Sequence, residues 1–215
     1  EAKTRDMLRL FESGQLKKSS LTEFLATCTE SSKIILSNLD RASKLIKNFK
    51  QVAVDQSSEE RRKFNLLDYL QDVLLSLRPK LKNTNVEVAI DGDRTVIMDN
   101  YPGALSQIVS NLVINSLVHA FEGIEAPKIL MTVSMEQETI IFTYKDNGTG
   151  ISEEARTKIF TPFYTTKRGE GGTGLGLHIV YNLVTQKLKG SIACASEVNN
   201  GVEFVLRLPL ELPRV

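Results

Sequence analysis

Apolar positions in the first quarter of the chain recur at helical spacing. They lie mostly three or four residues apart, which places them on one stripe of a helix more than ~30 residues long. The stripe contains Leu21, Phe24, Cys28, Ile35 and Leu39 and continues to residue 53. A shorter apolar cluster at 1–12 ends before Gly14, a favourable helix stop, and indicates the end of a preceding helix. We expect the two helices to form a hairpin that packs with a second chain; packing of the long helix on its own domain is the alternative.

The pattern changes after a polar, charged stretch at 54–63, which predicts a domain boundary. The predicted elements that follow are a helix at 66–82, two short strands at 85–98 around the turn Asp91-Gly92-Asp93, a helix at 102–121, a strand hairpin at 128–135 and 139–145, a helix at 174–188, and strands at 190–197 and 202–208. This order predicts an α+β fold, a two-layer α/β sandwich with a mixed, mostly antiparallel sheet covered by helices on one face and preceded by a long helical hairpin. The predicted domains are 1–55 (hairpin), 56–61 (linker) and 62–215.

Composition limits the classes of function that the chain could have. With 41% hydrophobic and 25% charged residues among 215 and a net charge of +1, the chain is an ordinary globular protein with no sign of a nucleic-acid partner. No apolar run approaches the length of a membrane span, so any membrane contact would come from other regions of a parent protein. Cys28 and Cys194 form no CxxC pair, which favours a reduced, zinc-free, cytoplasmic protein.

The helix at 102–121 carries a polar line on an otherwise apolar surface. Gln107, Asn111 and Asn115 repeat every four residues and therefore share one face. Buried amides need polar partners, and amide oxygens suit Mg²⁺ with a polyphosphate. For this helix taken alone, a solvent-facing polar stripe is the simpler interpretation.

Three loops add candidate chemistry. DNGTG at 146–150 follows a strand; its glycines allow a sharp turn and Asp146 could accept from the exocyclic amine of adenine, although an ordinary turn explains the motif equally well. GEGGTGLGL at 169–177 could expose consecutive N–H groups to a phosphate chain, but lacks the Lys-Ser/Thr of a P-loop. FTPFYTTK at 160–167 between them suits a mobile lid or a plain surface loop.

Together the motifs resemble a known family. In order, NLVINS at 111–116, DNGTGI at 146–151, FTPF at 160–163 and GTGLGL at 172–177 resemble the N, G1, F and G2 boxes of sensor histidine kinases, within the GHKL ATPase superfamily. The resemblance covers about residues 62–210, and the long helix resembles the second helix of a dimerisation and histidine-phosphotransfer hairpin. It implies a Bergerat-type ATP-binding domain that uses ATP and Mg²⁺.

The resemblance also assigns roles to residues. Asn115 would ligate Mg²⁺ and Asn111 would lie at the phosphates. Asp146 would hold adenine, with Gly148 and Gly150 shaping the pocket. Thr166 and Lys167 would lie near the terminal phosphates, Lys167 as a catalytic cation. The triphosphate would be wrapped by Gly172, Thr173, Gly174, Leu175 and Gly176.

The same resemblance indicates a kinase and not a hydrolase. Related hydrolases carry a Glu at the position of Asn111 to activate water, and an amide cannot take a proton. Asn111 is therefore expected to act in phosphoryl transfer to a histidine, for relay to an aspartate of a response-regulator receiver domain. Only His119 and His178 are present, and neither has the setting of an acceptor, so we expect the acceptor upstream of Glu1 and a homodimer through the hairpin of the full-length protein.

Two departures and two rival functions accompany this interpretation. Val202 replaces the usual Ser or Thr after Gly201, and Val118 replaces a Lys common in relatives. The rivals are a GHKL protein serine kinase and a regulatory module that binds nucleotide without catalysis.

Overall fold

A computed structural model describes residues 2–58, 61–166 and 172–212. The chain forms two compact units, Glu1–Asn48 and Phe49–Val215. The first unit holds helix α1 (Ala2–Glu12) and the start of helix α2 (Lys18–Ser58), with Gly14 at φ +69° in the turn between them. The expected linker at 56–61 is helical as far as Ser58, because no glycine or proline interrupts residues 15–61. The division of the chain into domains near residue 55 stays a prediction.

The second unit contains the remaining helices and strands. Their bounds are β1 (Arg62–Asn65), α3 (Leu66–Leu81), β2 (Glu87–Gly92), β3 (Ile97–Asn100), α4 (Pro102–Asn115) continued by a π-helical turn (Ser116–Ala120), β4 (Lys128–Glu136), β5 (Thr139–Asp146), α5 (Glu153–Arg156), α6 (Gly176–Asn182) continued by a second π-helical turn (Leu183–Lys187), β6 (Ser191–Ser196) and β7 (Val202–Pro209). Among the described residues, no helix combines the length and apolar character needed to cross a bilayer.

The main sheet has five strands in the order β2-β4-β5-β7-β6. β2 pairs with β4 in parallel, whereas the other neighbours are antiparallel. Burial alternates along β4, where Ile129, Met131 and Val133 are buried and Leu130 is exposed. Only one face of the sheet is therefore covered, which confirms the predicted two-layer α+β fold with a mixed, mostly antiparallel sheet.

The two strands predicted at 85–98 are present as β2 and β3 on either side of a turn, but they do not pair with each other as a hairpin. β2 runs beside β4, and β3 pairs antiparallel with β1 in a separate two-stranded sheet. Gly92, at φ +141°, lies so close to the Val133 backbone that a β-carbon there would overlap it. The turn residues were recognised from local sequence, but the partner strands lie about 40 residues away and leave no local trace.

The residue that precedes β1 is tied to β3 and to residues 211–212. Arg61 forms an ion pair with Asp99, with Nε 3.0 Å from Oδ1, and donates from a terminal nitrogen to the Leu212 carbonyl at 2.8 Å. A further ion pair joins Arg61 to Glu211 at 3.5 Å. These contacts hold the entry to β1 and the C-terminal segment beside β3.

Candidate functional site

Asp146 ends β5 and is 3% exposed. Its Oδ1 accepts hydrogen bonds from the backbone N–H groups of Gly148 (3.0 Å) and Val202 (3.2 Å), and its Oδ2 accepts from the Ser116 hydroxyl at 2.6 Å. A buried carboxylate needs such donors, and three of its roughly four lone-pair positions are used. Val202 thus contributes through its backbone, which does not depend on the missing side-chain hydroxyl.

A second hydroxyl continues this chain of hydrogen bonds. The Tyr144 hydroxyl lies 2.8 Å from Ser116 Oγ, and Tyr144 is fully buried. Burial, together with the nearby charge of Asp146, raises the pKa of Tyr144 far above its usual range, although the hydrogen bond with Ser116 opposes the rise. Tyr144 therefore stays a phenol and can donate to Ser116, whose own hydrogen goes to Asp146.

Helix α4 brings its amides to the start of α6. A β-carbon added to Gly176 would lie 3.3 Å from Asn115 Oδ1 and 3.7 Å from Asn111 Oδ1. The Nδ2 atoms of Asn111 and Asn115 are buried and have no hydrogen-bond partner. This polar line is not a plain solvent-facing stripe, because two of its amide nitrogens are shielded from water and form no hydrogen bond within the protein.

The glycines of the DNGTG turn are required by packing within the protein. A β-carbon on Gly148 would overlap Ala120 at the end of the α4 segment, and the Thr149 N–H donates to the Ala120 carbonyl at 2.9 Å. Gly150, at φ +70°, lies against the Glu197 carbonyl. The turn therefore shapes the site by fixing α4 beside Asp146. A side chain at Gly148 or Gly150 is excluded by contacts within the protein, and not by the close approach of a ligand that the sequence suggested.

Asn147, which directly follows Asp146, anchors the DNGTG turn to the segment before β4. Asn147 donates from Nδ2 to the Ala126 carbonyl at 2.9 Å and accepts from the Lys128 N–H at 2.6 Å. Its own N–H donates to the Lys128 carbonyl at 3.2 Å. These bonds connect the turn to the segment that enters β4.

The FTPF segment is held against α6 by a histidine. His178 Nδ1 lies 3.0 Å from the Phe160 carbonyl, and its Nε2 lies 3.1 Å from Asn182 Nδ2. A neutral imidazole that donates from Nδ1 and accepts at Nε2 satisfies both contacts. These two contacts give His178 a structural role at this position.

The glycine-rich turn meets the FTPF segment at one point. Gly174 adopts φ +67°, and a β-carbon there would overlap the Phe163 backbone. Phe163 itself has φ +66° and is 45% exposed. A left-handed phenylalanine is uncommon, and this close contact with Gly174 accompanies it.

The remaining predicted site residues differ in their placement. Gly172 and Thr173 are half-buried just before Gly174, whereas the Leu175 side chain is 3% exposed in the core. The Leu175 N–H donates to the Thr173 hydroxyl oxygen at 3.4 Å. Thr166 is exposed at the end of the FTPF segment. Lys167 lies outside the described residues, and its proposed contact with phosphate stays a prediction.

The donor set fits a metal that arrives with a nucleotide. Among the described residues, no group of three His, Cys, Asp or Glu side chains could hold a metal ion alone. Mg²⁺ keeps several waters and combines few protein oxygens with substrate phosphates, so an amide oxygen from Asn115 suits that role. The unpartnered amide nitrogens of Asn111 and Asn115 indicate that a polar ligand completes this face.

Two functional candidates were missed in the sequence. Ser116 directly follows Asn115, and Tyr144 precedes Asp146 by two residues on the same face of β5. The period of two along a strand could have placed Tyr144 beside Asp146. Nothing local to α4 could have paired Ser116 with them.

Comparison with known proteins gives the same family. Residues 100–212 match the family described as "Histidine kinase-, DNA gyrase B-, and HSP90-like ATPase". The "Sensor kinase CckA" of Brucella abortus is 33% identical over 195 residues, which are 81% of this chain and 20% of that protein. The chain thus spans about a fifth of that relative's length.

Solved structures of catalytic domains are similar as well. A nucleotide-free catalytic domain of histidine kinase ThkA is 28% identical with a TM-score of 0.62, over 71% of this chain and 99% of that domain. ThkA in complex with response regulator protein TrrA aligns over 97% of this chain and 56% of the ThkA chain, with 21% identity and a TM-score of 0.64. The latter likeness shows the fold alone.

Proposed function

This chain belongs to the histidine kinase-, DNA gyrase B- and HSP90-like ATPase family as the ATP-binding domain of a sensor histidine kinase, and from that premise we propose that it binds Mg-ATP and transfers the γ-phosphoryl group to a histidine on a helical hairpin. One observation carries the proposal. The buried Asp146 keeps a spare acceptor position and accepts a hydrogen bond from Ser116, the residue that follows Asn115. The buried Nδ2 atoms of Asn111 and Asn115 have no hydrogen-bond partner, and both amides lie near Gly176 at the start of α6.

Each end of a nucleotide has a matching group in this arrangement. The exocyclic amine of adenine would donate to Asp146 Oδ2. The phosphates would lie along the backbone of 172–176 with Asn111 beside them, and Asn115 would hold Mg²⁺, which neutralises charge on the transferred group. Thr166 and Lys167 would approach the terminal phosphates from the other side.

At the position where related hydrolases activate water, the described part of the site carries an amide and no base. Asn111 occupies the position one helical turn before Asn115, and an amide cannot accept a proton at neutral pH. An attacking water would therefore be unassisted, whereas an imidazole is already nucleophilic. This difference favours phosphoryl transfer over hydrolysis.

The acceptor would come from a helical hairpin and not from this site. Among the two histidines of the sequence, His178 already bonds the Phe160 carbonyl and Asn182, and His119 lies on the π-helical turn after α4. An acceptor on a helical hairpin, separate from this site, fits this distribution. By analogy with ThkA, which was solved with the response regulator TrrA, we propose relay to a receiver-domain aspartate, in the cytoplasm.

The helices of the first unit suit self-association. Leu25, Ile35 and Leu39 on α2 are each more than half exposed. Apolar side chains on one helix stripe are stabilised when a second helix covers them. We propose a homodimer of the full-length protein formed through these helices.

Phosphotransfer to a separate hairpin tests the function. The wild-type chain, incubated with γ-labelled ATP and a hairpin carrying the acceptor histidine, should produce acid-labile, alkali-stable labelled hairpin. Asp146→Asn and Asn115→Ala should each lower the rate at least ~100-fold, because each removes a contact on which positioning depends. Circular dichroism should show both variants folded.

The same assay separates the rival functions. ATP binding by calorimetry without any labelled hairpin would support a regulatory nucleotide-binding module. Label that is stable to acid would support a protein serine kinase. Full transfer by both variants would overturn the proposed site.

A further inference from the structure

We propose that Tyr144 and Ser116 form a hydrogen-bond relay that orients Asp146 and makes the site selective for a purine with an amine at C6, as in adenine. Tyr144 and Ser116 would be positioning residues, acting through the carboxylate. The inference rests on the proposed function, since it assumes that nucleotide binds at Asp146.

The first step is a count of acceptor positions on Asp146. Both lone-pair positions of Oδ1 are filled by the N–H groups of Gly148 and Val202. Oδ2 accepts from Ser116 at 2.6 Å and keeps one position. A ligand donor can therefore reach Asp146 only at Oδ2, in the direction that Ser116 leaves open.

The second step concerns the single hydrogen of Ser116. A serine on a helix can also donate to the carbonyl four residues back. Here the Tyr144 hydroxyl lies 2.8 Å from Ser116 Oγ and remains protonated in its buried setting. Because Tyr144 donates to Ser116, the Ser116 hydrogen is directed to Asp146, and hydrogen bonds in such a chain strengthen one another.

The third step is the effect on ligand choice. With its hydrogen committed to Asp146, Ser116 has no donor to offer a ligand, and Asp146 is an acceptor only. The exocyclic amine of adenine fits this arrangement, whereas the C6 carbonyl of inosine or guanine would face a carboxylate oxygen. Discrimination is strong where a mismatched ligand leaves buried polar groups unpaired.

The test compares Mg-ATP and Mg-ITP binding by calorimetry. The wild type should prefer ATP. Ser116→Ala should weaken ATP binding roughly tenfold with little change for ITP, because it removes a hydrogen bond to a charged group. Tyr144→Phe, a nearly isosteric change, should lower the ATP:ITP affinity ratio roughly threefold. This second variant keeps the test valid if Ser116→Ala does not fold.

The control is Thr143→Val, which removes a hydroxyl from β5 beside Tyr144 on the opposite face of the sheet and should leave the ratio unchanged. A purely structural defect would weaken both nucleotides equally. An unchanged ratio in folded Ser116→Ala and Tyr144→Phe would therefore overturn the relay, as would equal binding of ATP and ITP by the wild type. Absence of any ATP binding by the wild type would instead refute the proposed function itself.

Discussion

Several residues of the candidate site act through the absence of a side chain. Gly176 leaves room for the amides of Asn111 and Asn115, and Gly174 leaves room for the Phe163 backbone. Gly174 also needs a left-handed conformation, which costs other residues about 1–2 kcal/mol. Room for a neighbouring atom and a left-handed backbone are thus separate reasons for a glycine. Gly123 has only the second reason, a left-handed backbone.

Replacement of Gly174 and of Gly123 by alanine separates the two requirements. Gly123 has φ +76°, and a β-carbon added there would meet no atom within 4 Å, whereas a β-carbon at Gly174 would overlap Phe163. Gly123→Ala should lower the melting temperature by about 2–8 °C through backbone strain alone. Gly174→Ala should in addition lower ATP affinity at least ~10-fold, because the turn must move away from Phe163.

Calorimetry and thermal unfolding of both variants provide the measurement. Gly123→Ala serves as the matched control for positive φ. Wild-type ATP affinity in Gly174→Ala would show that contact between the glycine-rich turn and Phe163 does not shape the site.

Some residues of the site could be read from the sequence and others could not. Asp146, Asn111 and Asn115 stand out because a carboxylate after a strand and amides on an apolar helix are locally unusual. Ser116 does not stand out, since a serine on a helix is ordinary until Asp146 from a distant strand is placed beside it. The reason for the glycines at 148 and 150 was likewise hidden, because it depends on Ala120 and Glu197.

At the scale of elements, α6 holds the FTPF segment beside the glycine-rich turn. His178 bridges the Phe160 carbonyl and Asn182, and the Phe160 ring lies 5.4 Å from the ring of Tyr181. The Phe160 ring also approaches Phe204 of β7 at 6.4 Å. The FTPF segment is therefore anchored through its first residue, Phe160, to a helix and to a strand of the sandwich.

Removal of the His178 imidazole should loosen this anchor. In His178→Ala the Phe160 carbonyl and Asn182 each lose a hydrogen bond worth about 1 kcal/mol, so the melting temperature should fall by roughly 4–8 °C. ATP affinity should fall several-fold, because the FTPF segment is no longer fixed against α6. Differential scanning calorimetry and nucleotide titration measure the two effects.

Thr185→Ala is the control on the same helical segment. It removes an exposed hydroxyl that donates to the Tyr181 carbonyl at 2.8 Å and should leave ATP affinity unchanged. If His178→Ala and Thr185→Ala bound ATP equally well, α6 would not position the FTPF segment for binding.

Prediction of elements succeeded where the pattern is local. The strands β4 to β7 and the helices α3, α4 and α6 lie close to the predicted ranges, since their apolar periodicity is strong. The turn between β2 and β3 could not predict that β2 pairs with β4 and β3 with β1. Nor did the apolar pattern show that α4 and α6 each end in a π-helical turn, which begins at Ser116 in α4.

At the scale of the molecule, the two units differ in how far their apolar side chains are buried. The second unit buries its apolar residues between sheet and helices, with Tyr144, Phe142 and Leu105 fully enclosed. In the first unit Leu8 and Phe11 of α1 are mostly exposed, as is Leu36 of α2. The exposed apolar side chains of the first unit support the proposed association of its helices with a partner.

The central claim is that Asn115, Asp146 and the glycine-rich turn bind one Mg-ATP molecule. A crystal structure of the chain with Mg²⁺ and a non-hydrolysable ATP analogue measures this directly. We expect the adenine amine within about 3 Å of Asp146 Oδ2, the metal on Asn115 Oδ1, and the phosphates along 172–176. A nucleotide bound elsewhere, or an adenine that leaves Asp146 without a ligand contact, would contradict the account.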